Sequence, residues 1–229
     1  MSKIAIVVFP GSNCERDAYH ILKNVFHQEV VYHWHTDPID LNYRAVILPG
    51  GFAYGDYLRS GAIAKLSPAV LSLKDYIAAG KPVLGICNGF QILTEAGYLP
   101  GALSKNASLS FQCEDVYVRV DSSISPFLKN LKKGEVMKWA IAHSEGRYIV
   151  DLRTLEKMEG GGQVALRYSG PKGEKDVHFN ANGSLGMIAG ITNERGNVLA
   201  FMPHPERGAE SILGNTDGFR FFESMLANL

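Results

Sequence analysis

The chain has 229 residues, 46% of them apolar and 20% charged, which is an ordinary globular composition in a length that can bury a sizeable core. Its 23 Lys and Arg balance its 23 Asp and Glu, and no block of like charge occurs, which argues against nucleic acid or an anionic membrane as the main partner. Near-neutral proteins are prone to association, so a partner protein is favoured.

The location of the protein follows from what the sequence lacks. No apolar run approaches the ~18 to 20 residues that cross a bilayer, and the start does not have the pattern of a signal peptide. Three cysteines form no even disulfide framework, so free thiols in a reducing compartment are expected. We therefore expect a soluble cytoplasmic protein.

The first hundred residues alternate strand-like apolar runs with helical patterns. Ser12 and Glu15 fit a capping box before a first helix, and the proline after Ser67 suits the first position of a second helix. Alternating strands and helices imply a parallel sheet with right-handed crossovers. Strands are predicted at residues 3–9, 29–35, 44–48 and 82–86, and the second and third helices at 67–80 and 88–97.

From about residue 100 the pattern changes to strand-like runs separated by turn residues, and antiparallel strands are expected there. Residues 170–186 are expected to form a loop. These strands are predicted at residues 115–120, 136–142, 147–150, 163–168, 188–192 and 197–202, the last two as a hairpin. A closing helix at 216–229 should bury Phe219, Phe222, Leu226 and Leu229. No repeat or linker divides the chain, so we expect one α/β domain over residues 1–229.

Residues 85–91, GICNGFQ, place Cys87 between two glycines where an apolar strand gives way to a helix. This is the pattern of a nucleophile elbow with cysteine in place of serine. The sharp turn crowds the positions two before and two after the nucleophile, and Gly85 and Gly89 relieve that crowding. Free N–H groups at the start of the helix favour a thiolate. A buried structural cysteine is the alternative, and the elbow context favours a nucleophile.

A nucleophilic thiol needs a base, and the base needs an orienting partner. The segment 201–206, FMPHPE, supplies both at the end of a predicted strand. Prolines on both sides of His204 keep the chain extended, and residues i and i+2 of an extended chain point the same way. Glu206 can therefore accept the ring proton of His204. A loop with an incidental histidine is the alternative, and the cysteine elbow disfavours it.

A glycine pair could complete the site. Gly50 and Gly51 follow a third predicted strand, and the N–H of Gly51 could stabilise an oxyanion together with the N–H of Asn88, the residue after the nucleophile. Gln91 and Arg59 are weaker candidates. Gln91, one helical turn after Cys87, could line the pocket or merely cap the helix surface.

Other motifs are assigned structural roles. Residues 11–13 lack the Gly-Lys-Ser/Thr of a phosphate loop, and His33 and His35 lack a third ligand in a metal-binding pattern, so no metal site is expected. Cys14 and Cys113 have no candidate base nearby in the sequence. Residues 143–147 are expected to form a solvated turn. The motifs together indicate a cysteine acyl-transfer site, whose substrate could be an amide, an ester or a peptide.

Two groups of segments resemble a known family. The segments PVLGICNGFQIL and MPHPER resemble the class I, or triad, glutamine amidotransferases. Five further segments resemble the glutaminase subunits of phosphoribosylformylglycinamidine synthases. They are VVFPGSNCERD, ILPGGFAYGDYLRSGAIA, HSEGRY, NGS and IAGITNERGNVLAFMPHPERG. This resemblance implies a flavodoxin-like amidotransferase fold with a mostly parallel central sheet, flanking helices and additional antiparallel strands.

The resemblance also implies a function. Cys87, His204 and Glu206 would form the triad, with Gly51 and Asn88 in the oxyanion hole, and would hydrolyse L-glutamine. The ammonia would pass to a large synthetase subunit that uses ATP and Mg²⁺ to amidate formylglycinamide ribonucleotide in purine synthesis, with a small third subunit bridging the two. No cofactor is expected on this chain itself.

Two other interpretations remain open at this point. A cysteine hydrolase resembling the DJ-1/PfpI group would need a histidine soon after the cysteine, whereas residue 88 is Asn and no histidine follows Cys87 until His143. A non-catalytic module with a structural cysteine is disfavoured by the intact set of Cys87, His204 and Glu206.

Overall fold

The computed structural model describes residues 3–229 and is built around one nine-stranded sheet. In chain order the strands are Ile4–Val8 (β1), Val30–Trp34 (β2), Ala45–Leu48 (β3), Val83–Ile86 (β4), Ala102–Ser104 (β5), Gln112–Val120 (β6), Val136–His143 (β7), Arg147–Ile149 (β8), Val164–Ser169 (β9), Ile188–Thr192 (β10) and Val198–Phe201 (β11).

The sheet has a parallel half and an antiparallel half. Its strand order is β2-β1-β3-β4-β11-β10-β9-β6-β7, and β5 pairs with β8 in a separate two-stranded sheet. The neighbours from β2 to β11 are parallel, and those from β11 to β7 are antiparallel. Strands β3, β4 and β11 are buried along their whole length, as expected of parallel strands covered on both faces. The predicted fold class is therefore confirmed.

Five helices accompany the sheet in the described chain. They are Glu15–His20 (α1), Pro68–Ala78 (α2), Asn88–Glu95 (α3), Leu152–Gly160 (α4) and Asp217–Ala227 (α5), and a π-helical turn, Ile21–Val25, continues α1. Helix α3 packs against β3, β4 and β11, which places its first turn over the centre of the sheet. Within residues 3–229, every helix is too short or too polar to span a bilayer.

The start of α1 differs from the prediction. The Ser12 hydroxyl bonds the backbone N–H and carbonyl of Phe9 instead of capping the helix, and Cys14 occupies the N-cap position. The predicted capping box is therefore wrong, because Ser12 stabilises the turn after β1. The proline start of α2 is confirmed, since the Ser67 hydroxyl accepts a bond from the Val70 N–H.

Two helices differ from the sequence prediction in other ways. Helix α4 was not predicted: Asp151 caps it, but Met158 is its one buried side chain, so its apolar stripe is short. Helix α5 is present. Phe221, Phe222 and Met225 are its fully buried large side chains, whereas the predicted Phe219, Leu226 and Leu229 are half-buried against the core. The face is rotated because Phe221 packs against Trp139 and Phe201 of the sheet.

The topology brings the separate motifs to one edge of the sheet. Phe201 pairs with Ile86, and Leu48 pairs with Gly85, in parallel register. Residues that follow β3, β4 and β11 therefore leave adjacent strands at the same carboxyl edge, which is where open α/β sheets place their ligand sites.

Candidate active site

Cys87 occupies a strained turn between β4 and α3. Its φ of 49° and ψ of −103° are outside the regions that residues with a side chain ordinarily adopt. Its N–H donates to the Phe201 carbonyl at 2.8 Å, which anchors the turn to β11. Backbone strain that the surrounding structure holds in place is typical of functional positions, here at the predicted nucleophile.

The two glycines around Cys87 are required by close contacts. A Cβ atom at residue 85 would lie 2.9 Å from the Gly89 carbonyl, and one at residue 89 would lie 2.0 Å from the Leu48 carbonyl oxygen. The elbow thus fits only if both positions lack a side chain, which confirms the role predicted for the two glycines.

His204 is held from both its backbone and its ring. Its N–H donates to the Ala140 carbonyl at 2.8 Å, so the edge strand β7 fixes the backbone. Its Nδ1 lies 2.5 Å from Oε1 of Glu206. A carboxylate can only accept, so the ring presents a proton to Glu206 at Nδ1. Among the described residues, Nε2 is buried without a hydrogen-bond partner, which leaves this nitrogen for a reacting group.

The electrostatics of the site favour a charged imidazole. Burial opposes that charge, but the Glu206 carboxylate and the Cys87 sulfur outweigh burial and raise the pKa of His204 well above its usual range. These neighbours favour the protonated ring, which can serve as a proton donor. Because the Cys87 sulfur contributes to the rise in the His204 pKa, the sulfur lies close to the ring.

The loop after β3 is tied to the start of α3. The Ala53 N–H donates to Oδ1 of Asn88 at 3.1 Å, which brings residues 50–53 beside the elbow. Gly51 has a φ of 134°, which favours glycine. In the described chain, neither the Gly51 N–H nor the Asn88 N–H donates a hydrogen bond, so both remain candidate oxyanion donors.

Gln91 is buried and its amide group is already occupied. Its Oε1 accepts from Nδ2 of Asn88 at 2.9 Å, and its Nε2 donates to the Glu145 carbonyl at 2.6 Å. It therefore links the elbow helix to the segment after β7, and lining of the substrate pocket remains a prediction. Arg59 is exposed and pairs with Glu95 at 2.6 Å.

The sequence did not indicate that Cys14 belongs to the site, or that Gly50 of the predicted glycine pair contacts the His204 ring. The sulfur of Cys14, a ring nitrogen of His204 and a carboxylate oxygen of Glu206 lie within 4.8 Å of one another. A Cβ atom at Gly50 would lie 2.6 Å from Cε1 of His204. Cys14 and Gly50 are far from His204 in the sequence, so no spacing pattern could reveal these contacts.

The expectation of a solvated turn at residues 143–147 is wrong at its first residue. His143 is 3% exposed, and its Nδ1 lies 3.1 Å from Oδ1 of Asn106. Burial, followed by the charge of His204, lowers the pKa of His143 to about 4. The polar segment between two strands indicated a surface turn. His143 is instead buried against Asn106, which belongs to a loop distant in the sequence.

The fold and this site define the class of protein. A family model described as the CobB/CobQ-like glutamine amidotransferase domain matches residues 1–218, and the chain is a member of that class of enzymes.

Individual relatives narrow the class further. The chain is 49% identical over 224 residues to phosphoribosylformylglycinamidine synthase subunit PurQ of Moorella thermoacetica, covering 98% of this chain and 95% of the relative. It is 51% identical over 224 residues to the same subunit of Alkaliphilus metalliredigens, with 98% and 95% covered. A chain in the structure of PurLQS from Thermotoga maritima superposes with a TM-score of 0.86 at 42% identity, covering 99% of this chain and 98% of that one. The chain belongs to the family of PurQ subunits.

Proposed function

We propose that this chain is the glutaminase subunit of a phosphoribosylformylglycinamidine synthase. It hydrolyses L-glutamine to glutamate and ammonia through Cys87, His204 and Glu206. The ammonia goes to a large synthetase subunit, which uses ATP and Mg²⁺ to convert formylglycinamide ribonucleotide to formylglycinamidine ribonucleotide, and a small subunit bridges the two.

The first half of the proposed reaction forms a thioester. The Cys87 thiolate attacks the side-chain carbonyl carbon of glutamine, and the developing oxyanion is stabilised by the free N–H groups of Gly51 and Asn88. The carbon–nitrogen bond then breaks as His204 donates its Nε2 proton to the leaving nitrogen, which departs as ammonia. Glu206 holds the ring orientation through Nδ1.

The second half releases glutamate. Neutral His204 takes a proton from water, and the resulting hydroxide attacks the glutamyl thioester. The carbon–sulfur bond breaks, which regenerates the Cys87 thiolate and the His204 imidazolium. Each proton that leaves Nε2 in the first half is replaced in the second.

The observation that carries this proposal is the strained Cys87 elbow beside a buried His204–Glu206 pair. The unpartnered Nε2 of His204 supports its role as proton donor and acceptor. Identity near 50% to PurQ subunits supports the choice of glutamine and of the synthase.

The surface around the site supports docking of a partner. Loops at the carboxyl edge of the sheet carry exposed apolar side chains, which mark interaction surfaces when they cluster. These residues are Phe52, Tyr57, Leu58, Leu109, Phe111 and Val177. Cys87 itself is 4% exposed, so glutamine needs a movement of the covering loops to reach it. Partner docking at this edge would couple glutamine hydrolysis to the synthetase.

The test is a glutaminase assay on the chain mixed with the synthetase and bridging subunits. Cys87→Ala should reduce ammonia release to background, whereas Cys113→Ala should leave it unchanged because Cys113 is exposed on β6. Mass spectrometry of acid-quenched wild-type chain should find a glutamyl adduct on Cys87. Ammonia release that survives in Cys87→Ala would refute the triad.

We further propose a cytoplasmic location. The three cysteines are free in the structure, which is typical of a reducing compartment. Cell fractionation with an antibody to the chain tests this, and recovery outside the cytoplasmic fraction contradicts it.

A further inference from the structure

The Glu206 carboxylate lacks part of the compensation that a buried charge needs. Glu206 is 3% exposed; its Oε1 bonds His204, and its Oε2 is buried without a hydrogen-bond partner in the part of the chain that is described. A buried carboxylate is costly unless it is paired with a cation. His204 provides that cation only while its ring is protonated.

A second cation lies near the pair. Arg207 follows Glu206 on a 3₁₀ turn, Pro205–Arg207, and its guanidinium returns toward α1. Nη2 donates to the Cys14 sulfur at 3.1 Å, and Nε lies 3.7 Å from Oδ2 of Asp17. The guanidinium is therefore held by two residues from the start of α1.

Cys14 connects this cation to the catalytic pair. Its sulfur accepts from Arg207 and lies within 4.8 Å of both the His204 ring and the Glu206 carboxylate. Cys14 is buried, and its thiol also contacts Oδ1 of Asn13 at 3.2 Å, so both its donor and acceptor capacity are used. These contacts indicate that Cys14 supports the Arg207 guanidinium and does not act as a second nucleophile.

We propose that Arg207, held in place by Cys14 and Asp17, is a positioning residue that stabilises the Glu206 carboxylate when His204 gives up its proton. This inference rests on the proposed function of the triad. In the step that releases ammonia, His204 becomes neutral and Glu206 is left as a buried anion. The guanidinium then supplies a positive charge near that anion, because the Cys14 sulfur contacts the guanidinium and lies within 4.8 Å of a Glu206 carboxylate oxygen. This charge makes the proton transfer easier.

The sign of the effect follows from the charges. A positive charge near the pair favours Glu206 as an anion and disfavours the His204 imidazolium. Arg207 therefore holds the proton affinity of His204 closer to the working pH. Asp17 belongs to the same set of charges: burial and then the charge of Glu206 raise its pKa, and Arg207 and His204 oppose that rise.

Other charges around the ring must be included. The titratable or charged groups that face His204, or the groups that support it, are Cys14, Glu15, Asp17, Cys87, His143, Glu206 and Arg207. Of these, Arg207 is the permanent cation, so its removal gives the clearest change.

The experiment titrates His204 directly by histidine side-chain NMR in a Cys87→Ala background, which requires no activity. Arg207→Met should raise the titration midpoint of His204 by roughly half a pH unit or more, as expected for loss of a nearby charge. Arg207→Lys should keep most of the original midpoint, because it retains the positive charge. Arg153→Met, which removes an exposed arginine, is the matched control.

Enzyme kinetics provide an independent readout. With Cys87 intact, the limb of the pH profile of kcat that reports His204 should move upward in Arg207→Met by the same amount. An unchanged midpoint in folded Arg207→Met overturns the inference. If Arg207→Met does not fold, Arg207→Gln replaces it, and an unchanged His204 midpoint there is equally decisive. Failure of the triad itself would appear separately, as ammonia release by Cys87→Ala.

Discussion

The Cα of Gly89 faces the carbonyl of Leu48 so closely that a side chain could not fit between them. A Cβ atom at residue 89 would lie 2.0 Å from that carbonyl oxygen. Helix α3 therefore rests directly on the end of β3, and this contact fixes the height of Cys87 above the sheet. The backbone of β3 cannot retreat, because it is paired with β1 and β4.

Gly89→Ala should accordingly displace the first turn of α3. Inserting a methyl group into a closely packed contact typically costs about 1–3 kcal/mol of the free energy of unfolding. We expect a loss in this range together with loss of glutaminase activity, measured by urea unfolding and ammonia release. Gly160→Ala is the control, because a Cβ there meets no atom within 4 Å. Equal stability of the two variants would contradict the contact.

Gly50→Ala should act on the catalytic ring instead of the fold. The new Cβ would lie 2.6 Å from Cε1 of His204, so the ring must move away from its present position. Because displacement of a catalytic group by about 1 Å can cost 10²-fold in rate, we expect kcat to fall by roughly that factor. The measurement is kcat and KM for glutamine, with Gly160→Ala again as control. A variant with unchanged kcat would show that catalysis does not require the ring to stay in its position beside Gly50.

The stability of the protein should depend on pH through His143. Its pKa in the folded chain is about 4, because burial and then the charge of His204 disfavour protonation, whereas an unfolded histidine titrates near ~6.5. As the pH falls from about 6.5 to 4, the unfolded chain binds a proton that the folded chain does not, so the free energy of unfolding decreases. The full difference corresponds to roughly 3 kcal/mol.

Urea unfolding at pH 7 and at pH 4.5 measures this dependence. His143→Gln should remove part of the decrease between the two pH values, whereas His178→Gln should retain all of it because His178 is exposed. The same decrease in both variants would assign the effect to other groups.

The loop that contains residues 54–60 is held by hydrogen bonds, and these bonds should influence how strongly a partner subunit stimulates glutamine hydrolysis. The Ser60 N–H and hydroxyl both donate to the Glu145 carboxylate, at 3.3 and 2.9 Å, and the Glu145 carbonyl bonds Gln91 behind the nucleophile. Tyr54, Asp56 and Leu58 in the same loop have positive φ, which is a strained conformation for such residues. These contacts, with the bond from the Ala53 N–H to Asn88, hold a strained loop beside the elbow of Cys87.

We therefore expect low glutaminase activity for the isolated chain and a rise when the synthetase subunit is added. Ser60→Ala should raise the activity of the isolated chain by roughly several-fold and reduce the stimulation by the partner, because a weaker fastening favours the open loop. Ser123→Ala, at an exposed position away from the loop, is the control. Equal turnover with and without the synthetase subunit would count against the coupling.

Much of the fold was predictable because it depends on local patterns. Continuous apolar runs indicated the parallel strands to within one or two residues, and the proline after Ser67 marked the start of α2. Helix α4 was not predicted, because Met158 is its one buried side chain. The buried face of α5 was predicted at the wrong angle, because Phe221 packs against aromatic side chains of the sheet. Where a helix face is chosen by its partner, the periodicity of the helix alone is insufficient.

The sequence by itself determined the roles that local chemistry can specify. It indicated Cys87 as a candidate nucleophile, since two glycines at this spacing serve a sharp turn, and it paired Glu206 with His204. That pairing is present, but a 3₁₀ turn, Pro205–Arg207, makes it and not the extended segment that the prolines suggested. Only the tertiary structure decided what surrounds the pair. The positions of Cys14, Gly50 and His143 depend on strands that are adjacent in the sheet but distant in the chain. Burial and charge at such contacts are properties of the assembled fold, and no spacing along the sequence encodes them.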